Sequence, residues 1–348
     1  MKKYDNLDGL RAFAAIGIIC MHILESIGIA PQVDSRAGDY LINHLITQFG
    51  TFVQLFFVIS GFGMCCGYYE KIKGQTISLN EFYNKRYLKI LPFFTLLVLM
   101  DLAVSLLLDG TLSAAKLYEA FVDLTLMFGF YTVEGMSVIG VGWTLGVIFG
   151  FYILFPFFVY LIWTKKRAWA ALAVAIGITY VSKVYFSLGS SLTFNWLCFF
   201  LAGGLIFLYR EEMERLVRNR GVGLLLTAVG FVLVYMIKIP WDGELAVLLG
   251  ILKGLLGFSM MVVGALSPNT IIWSNPITKY ISGVSLEIYL AHMMVFRVIE
   301  KANLTTIAGT SIASYVLTCA MTVAGVLLFA GGYKWVEARA KYLVKHPN

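Results

Sequence analysis

The stretch LDGLRAFAAIGIICMHILES, residues 7–26, decides the fold. Beyond Asp8 and Gly9 it stays apolar long enough to cross a bilayer as a helix, which takes roughly 17–25 residues. Yet it keeps Arg11 at its front edge and His22 deep inside. A charged side chain at the centre of a membrane helix costs about 2.5–3.5 kcal/mol on insertion scales, and such residues usually face a bundle interior or a water-filled cavity. Eleven residues of α-helix return a side chain to within about 20° of the same face, about 16 Å further along the axis. One face thus joins the water edge to a buried imidazole. Taken singly, Arg11 reads equally as a snorkelling anchor, and His22 as a polar helix–helix contact. Their shared face favours function. Glu25, three residues past His22, either orients the ring or anchors the outer edge.

The composition points outward from that helix to the whole chain. Hydrophobic residues make up 59% of the 348 positions and charged residues 14%, with a mean hydropathy of +0.80. A soluble domain carries charge on about a quarter of its residues. The charged skin of a soluble fold is missing, so the solvent is lipid. The net charge is +7, but the basic residues sit in short loops between apolar runs. That is the positive-inside bias of a membrane protein rather than a nucleic-acid surface. The five cysteines, Cys20, Cys65, Cys66, Cys198 and Cys319, are odd in number and lie in apolar stretches without metal-ligand spacing. They read as small hydrophobes, and no metal is expected. The first run, with its internal Arg and His and no small-residue cleavage site, reads as a retained span.

Ten apolar runs are long enough to span: about 9–29, 47–68, 87–108, 141–163, 168–186, 192–209, 221–239, 245–265, 278–298 and 311–333. The expected fold is all-α, a polytopic bundle of about ten transmembrane helices. It forms one domain over 1–348, with no internal repeat and no appended soluble domain. Residues 114–131, with Lys116, Glu119 and Asp123 interleaved among apolar positions, suit a surface or re-entrant helix; the other reading is an eleventh span. With ten spans the basic residues divide twenty to six between the two sides. The richer side holds both termini, and the rule places it in the cytoplasm.

Other runs carry polar or aromatic residues of their own. In QLFFVISGFGMCCGYY, residues 54–69, Ser60, Gly61 and Gly63 interrupt an aromatic wall, which suits close helix packing. In FYNKRYLKILPFF, residues 82–94, Arg86 and Lys89 are three apart, just before Pro92 at the cytoplasmic surface. The pair suits phosphate groups or a charged anchor. In VGWTLGVIFGFYILFPFF, residues 141–158, Trp143, Tyr152 and Pro156 read as an aromatic belt with a kink. KYISGVSLEIYLAHMMVFR, residues 279–297, buries Glu287 and His292. Counted along a straight helix from Lys279, Glu287 lies near the midplane and His292 about 20 Å in, at a depth comparable to His22. A carboxylate there is a functional candidate by default.

Together these pieces resemble the acyltransferase 3 family, integral membrane O-acyltransferases of surface glycans and lipids. The carrying motifs are LDGLRA with Arg11 and His22 at the Arg-(ten residues)-His spacing, FFVISGF at 56–62, RYLKILP at 86–92, WTL at 143–145 with FYILFP at 151–156, and IYLAH at 288–292. They run nearly end to end and in order. Two departures stand out. Lys89 occupies a position where the family commonly has Arg, and Ile148 and Phe149 occupy positions where it often has glutamates. The resemblance implies an acyl-CoA donor in the cytoplasm, acetyl-CoA by family default, and an acceptor hydroxyl on a glycan or lipid-linked sugar. Arg11, Arg86 and Lys89 would bind the donor phosphates, and His22 would act on the acceptor with Arg11 beside the donor. Glu287, His292, Trp143 and Ser60 would serve acceptor binding, with Glu287 the candidate to replace the missing acids. A different class is a proton-coupled secondary transporter, which buried Arg, His and Glu also suit. The lack of an internal repeat speaks against it. A non-enzymatic receptor or scaffold is a third class, and chemistry on acyl-CoA separates the first from both.

Overall fold

The computed structural model describes residues 3–27, 36–130, 139–186, 189, 191–309 and 312–346. In chain order its helices are α1 Asn6–Ile27, α2 Arg36–Lys73, α3 Leu79–Asp109, α4 Ala114–Thr125, α5 Trp143–Leu161, α6 Lys165–Val184, α7 Leu197–Leu208, α8 Arg210–Leu216, α9 Arg220–Tyr235, α10 Gly243–Gly264, α11 Pro276–Gly283, α12 Ser285–Lys301 and α13 Ile312–Lys345. No strand occurs among the described residues. Among the described residues seven helices are long and apolar enough to cross a membrane, or up to nine if each of two bent pairs is one span. The all-α membrane architecture expected above is therefore present. Of the expected ten runs, 221–239 corresponds to α9, a shorter apolar helix of 16 residues that this count leaves out. The ends of two runs, 28–29 and 311, lie outside the described residues.

Local chemistry sets the boundaries. The expected third run began at 87, but α3 begins at Leu79 because Ser78 caps it, accepting from the Glu81 N–H at 3.1 Å. Arg86 therefore sits inside the helix with Lys89 rather than ahead of it, and Pro92 lies in its interior. Charged first turns are invisible to a search for apolar runs. α4 is capped by Ser113 and ends at Leu126, where φ is 57°. Its 12 residues make a helix too short to span, in keeping with a surface or re-entrant element. The expected ninth span is broken: Asn275 and Thr278 form a capping box that starts α11, and the chain bends by 74° between α11 and α12. A straight count of depth from Lys279 does not survive that bend. His292 stands seven residues into α12, about 10 Å from its start.

The described contacts divide the chain into two compact units. The first comprises residues 1–10 and 53–273, and its core is aromatic. Phe151 stacks on Phe200 at 4.0 Å, and Phe57 lies 4.9 Å from Phe200. Gly61 lets α2 approach α7 closely: a Cβ there would run into the backbone of Phe200. Ser60, beside it, is half-buried. Asn6, fully buried, ties the chain start to the turn after α10. Its amide donates to Ser267 O at 3.0 Å and its carbonyl accepts from the Thr270 N–H at 3.0 Å. Gly9 in LDGLRA is required by the same contact, because a Cβ would meet the Trp273 backbone.

The second unit comprises residues 11–52 and 274–348. It holds α1 from Arg11 onward together with α11, α12 and α13. α12 and α13 pair antiparallel, with Gly325 against Val295 and Lys334 against Glu287. Tyr315 on α13 donates to the carbonyl of Cys20 on α1 at 3.0 Å. These contacts hold three helices around the polar residues that the sequence singled out.

Candidate functional site

In the second unit, α1 and α12 bring His22 and His292 together. His22 Nδ1 lies 2.9 Å from His292 Nε2, and the two rings are parallel to within 4°. His292 Nδ1 is 2.7 Å from the carbonyl oxygen of Tyr289, one turn earlier on α12. His292 is fully buried and His22 half-buried. The carbonyl decides the tautomers, because it can only accept. With both rings neutral, His292 carries its proton on Nδ1 and donates to Tyr289, which leaves Nε2 as an acceptor. His22 must then carry its proton on Nδ1 and donate to His292. The remaining lone pair falls on His22 Nε2. A backbone carbonyl thus fixes, through one ring, which nitrogen of the other is basic, the second-group logic seen wherever an imidazole is oriented by a partner.

Glu25 does not orient that ring. It is exposed, and Nδ1 is engaged by His292 instead. Arg11 is half-buried on the His22 face of α1. Glu287 goes elsewhere. It is 4% exposed in the first turn of α12 and pairs with Lys334 on α13 at 2.7 Å. Lys334 also reaches Glu337 at 3.2 Å, and Glu337 reaches Lys341 at 2.5 Å. Glu287 and His292 are five residues apart, so they point to different sides of α12 and find different partners.

The first unit holds the other sequence candidates. Arg86 hydrogen-bonds the Tyr68 hydroxyl and lies 4.4 Å above the Tyr68 ring and 5.6 Å from that of Tyr152. Its Nε is buried, with no hydrogen-bond acceptor among the described residues. Burying an unpaired guanidinium donor is costly, by about 1–3 kcal/mol or more for a charged group, so the position suits an acceptor that the described residues do not supply. Lys89, one turn on, is exposed. Trp143 is half-buried and tilts against Trp196 at 5.8 Å. Phe149, where glutamate is common in the resembled family, packs edge-on against Tyr87 at 5.1 Å.

Against this geometry, a family model described as an acyltransferase domain matches residues 4–331. The chain belongs to the acyltransferase 3 family. A relative, Nodulation protein 10 of Rhizobium leguminosarum bv. viciae, is 29% identical over 192 residues, covering 49% of this chain and 48% of that protein. The chain thus spans about half the length of the curated relative it matches. No solved structure matches. The family match runs through nearly all of the helices that are long and apolar enough to cross a membrane.

The sequence sets His22 and His292 at comparable depth but does not pair them. The direct contact depends on how α1 and α12 pack. Tyr68 and Lys334, the partners of Arg86 and Glu287, were missed entirely. Lys334 sits just past the last apolar run, in what reads as a short basic helix end, and α13 continues to Lys345. Nothing in spacing marks Tyr68 among the chain's 19 tyrosines.

Proposed function

We propose that the protein moves an acyl group, acetyl by family default, from cytoplasmic acyl-CoA to a hydroxyl of a cell-surface glycan or lipid-linked sugar. The observation that carries this reading is the chain Tyr289 carbonyl, His292, His22, which leaves a basic lone pair on His22 Nε2. In the proposed step His22 Nε2 takes the proton of the acceptor hydroxyl as that oxygen attacks the thioester carbonyl. A carbon–oxygen bond forms, the carbon–sulfur bond breaks, and the thiolate of CoA leaves with the proton that His22 returns. His292 holds the ring and stabilises the imidazolium. A covalent acyl-His22 intermediate is a variant with the same balance, the sugar hydroxyl then attacking the acyl-imidazole.

Arg86 is the strongest candidate for the donor phosphates, since its buried Nε has no acceptor among the described residues and guanidinium forks match phosphate oxygens. Arg11 and Lys89 are the accompanying donor-site cations. Trp143, Ser60 and Glu287 remain candidates for the acceptor side, Glu287 acting from its pair with Lys334. The proposed setting is the cytoplasmic membrane, with ten spans, α9 being one of them and each bent pair another, one domain, and both termini cytoplasmic by the basic-residue bias.

The test is transfer of radiolabelled acetyl from acetyl-CoA to native membranes by the purified protein in nanodiscs, with acetyl-CoA binding measured by calorimetry. His22→Ala should still bind acetyl-CoA and lose transfer by about 10²–10⁴, the usual contribution of a general base. Transfer near the wild-type rate would reduce the imidazole to a packing contact. Movement of substrate across the membrane without chemical change would favour transport instead.

A further inference from the structure

All five cysteines are free thiols, and two of them meet in the second unit. Cys20 on α1 and Cys319 on α13 are hydrogen-bonded thiol to thiol. Tyr315, four residues before Cys319 and on the same face of α13, donates its phenol hydrogen to the Cys20 carbonyl at 3.0 Å. Phenol and thiol thus hold one point of α1 together. Cys319 is buried and Cys20 half-buried. Elsewhere on α1, His22 meets His292 at 2.9 Å. Cys20 and His22 are two residues apart, which sets them about 200° apart around the helix. At this level α1 is held between a thiol on α13 and an imidazole on α12.

Two cysteines can be bridged only if their side chains already point at each other across a short gap. Thiols in mutual hydrogen-bond contact on two packed helices are within reach of that geometry by a small helix shift. A covalent S–S bond is shorter than any S–H···S contact, so closing it draws α1 toward α13. His22 rides on the far side of α1 and is drawn away from His292. Their contact has little slack, because a separation of about 3.6 Å is no longer a hydrogen bond. A misplacement of about 1 Å at a reacting group can cost about 10² in rate. Ile19 and Ile23, beside Cys20 and His22 in α1, are fully buried, so the surroundings are apolar and the oxidant that suits them is small and uncharged.

We propose that Cys20 and Cys319 form a redox switch: oxidation joins them in a disulfide that pulls α1 off its contact with α12 and slows acyl transfer, and reduction restores it. Each thiol gives up one proton and one electron, and the S–S bond forms. A two-electron acceptor of the azo or quinone class takes both protons and both electrons and becomes a hydrazine or a hydroquinone. The effect on transfer rests on the role proposed above for His22; formation of the disulfide does not.

The probe is diamide, whose N=N bond is the electron acceptor, applied to the full-length protein in nanodiscs. The remaining thiols are then alkylated and the digested protein is read by mass spectrometry, with acetyl transfer and acetyl-CoA affinity measured in parallel. In wild type the peptides carrying Cys20 and Cys319 should appear linked. Transfer should fall about tenfold or more, acetyl-CoA affinity should stay within about twofold, and dithiothreitol should restore transfer. Cys20→Ala and Cys319→Ala should each keep their own untreated rate in diamide. The two substitutions lie on different helices, so one reports if the other misfolds. Alkylated, unlinked Cys20 and Cys319 after treatment would overturn the switch. So would linked peptides with unchanged transfer, or an equal loss in wild type and both variants. Linked peptides in a protein that transfers nothing even when reduced would instead uphold the disulfide and remove the acyl-transfer reading.

Discussion

Replacing His292 by alanine tests the hydrogen-bond chain most directly. His292 touches neither donor nor acceptor in the proposed reaction; it acts through His22. Its removal takes away the acceptor of the His22 Nδ1 proton, now 2.9 Å distant, and frees that ring to rotate or to move its proton to Nε2. Leaving a buried donor unsatisfied costs about 1–3 kcal/mol. If that cost falls on the catalytically competent tautomer, each 1.36 kcal/mol is a factor of ten in rate, so kcat should fall about 5- to 150-fold. The acetyl-CoA affinity should stay within twofold, because the phosphates are assigned to Arg86 and its neighbours. Steady-state transfer to native membranes gives kcat, and calorimetry on the same preparation gives Kd. His292→Gln, whose side-chain oxygen can accept from His22, should recover part of the loss, which a purely packing role would not allow. A wild-type kcat in His292→Ala would refute the tautomer argument. So would an equal loss in His292→Ala and His292→Gln with both proteins folded.

Arg86→Lys keeps the charge but loses the planar fork and the stacking on Tyr68; acetyl-CoA binding should weaken about tenfold, or 1.4 kcal/mol, with kcat at saturation little changed. Breaking the Glu287–Lys334 pair from one side strands a charge. Lys334→Met should therefore lower the melting temperature in detergent, and adding Glu287→Met to it should restore part of the loss, as paired replacement of buried ions often does. An additive further loss in the double variant would show that Glu287 has work beyond the pair. Cysteines introduced at 75, 165 and 215 should resist an impermeant thiol reagent applied from outside, while those at 36, 110 and 242 should react; labelling at 165 would break the proposed orientation.

Much of this protein follows from its sequence alone. Hydrocarbon admits only segments that satisfy their own backbone hydrogen bonds, so long apolar runs had to become helices, and each of the ten meets helical structure. The Arg11–His22 face was equally legible, because helical phase is fixed by the backbone and needs no neighbour. The breaks were not. The bend at Val284, which leaves helical backbone at φ −117° and ψ 18°, is a local stop inside an apolar stretch, and hydropathy averages over it. Partners were the other blind spot. That His22 meets His292, that Glu287 meets Lys334, and that the Arg86 guanidinium rests on Tyr68 with its Nε unpaired depend on the rotation and offset of packed helices. Two residues far apart in the chain share a site only when side-chain shapes across the contact allow it, and no periodicity within one helix carries that information. Family membership, from motifs spread over residues 4–331, named the class of chemistry. Which nitrogen of His22 is basic was decided by the carbonyl of Tyr289, a backbone group that every residue has and that only the tertiary fold could aim.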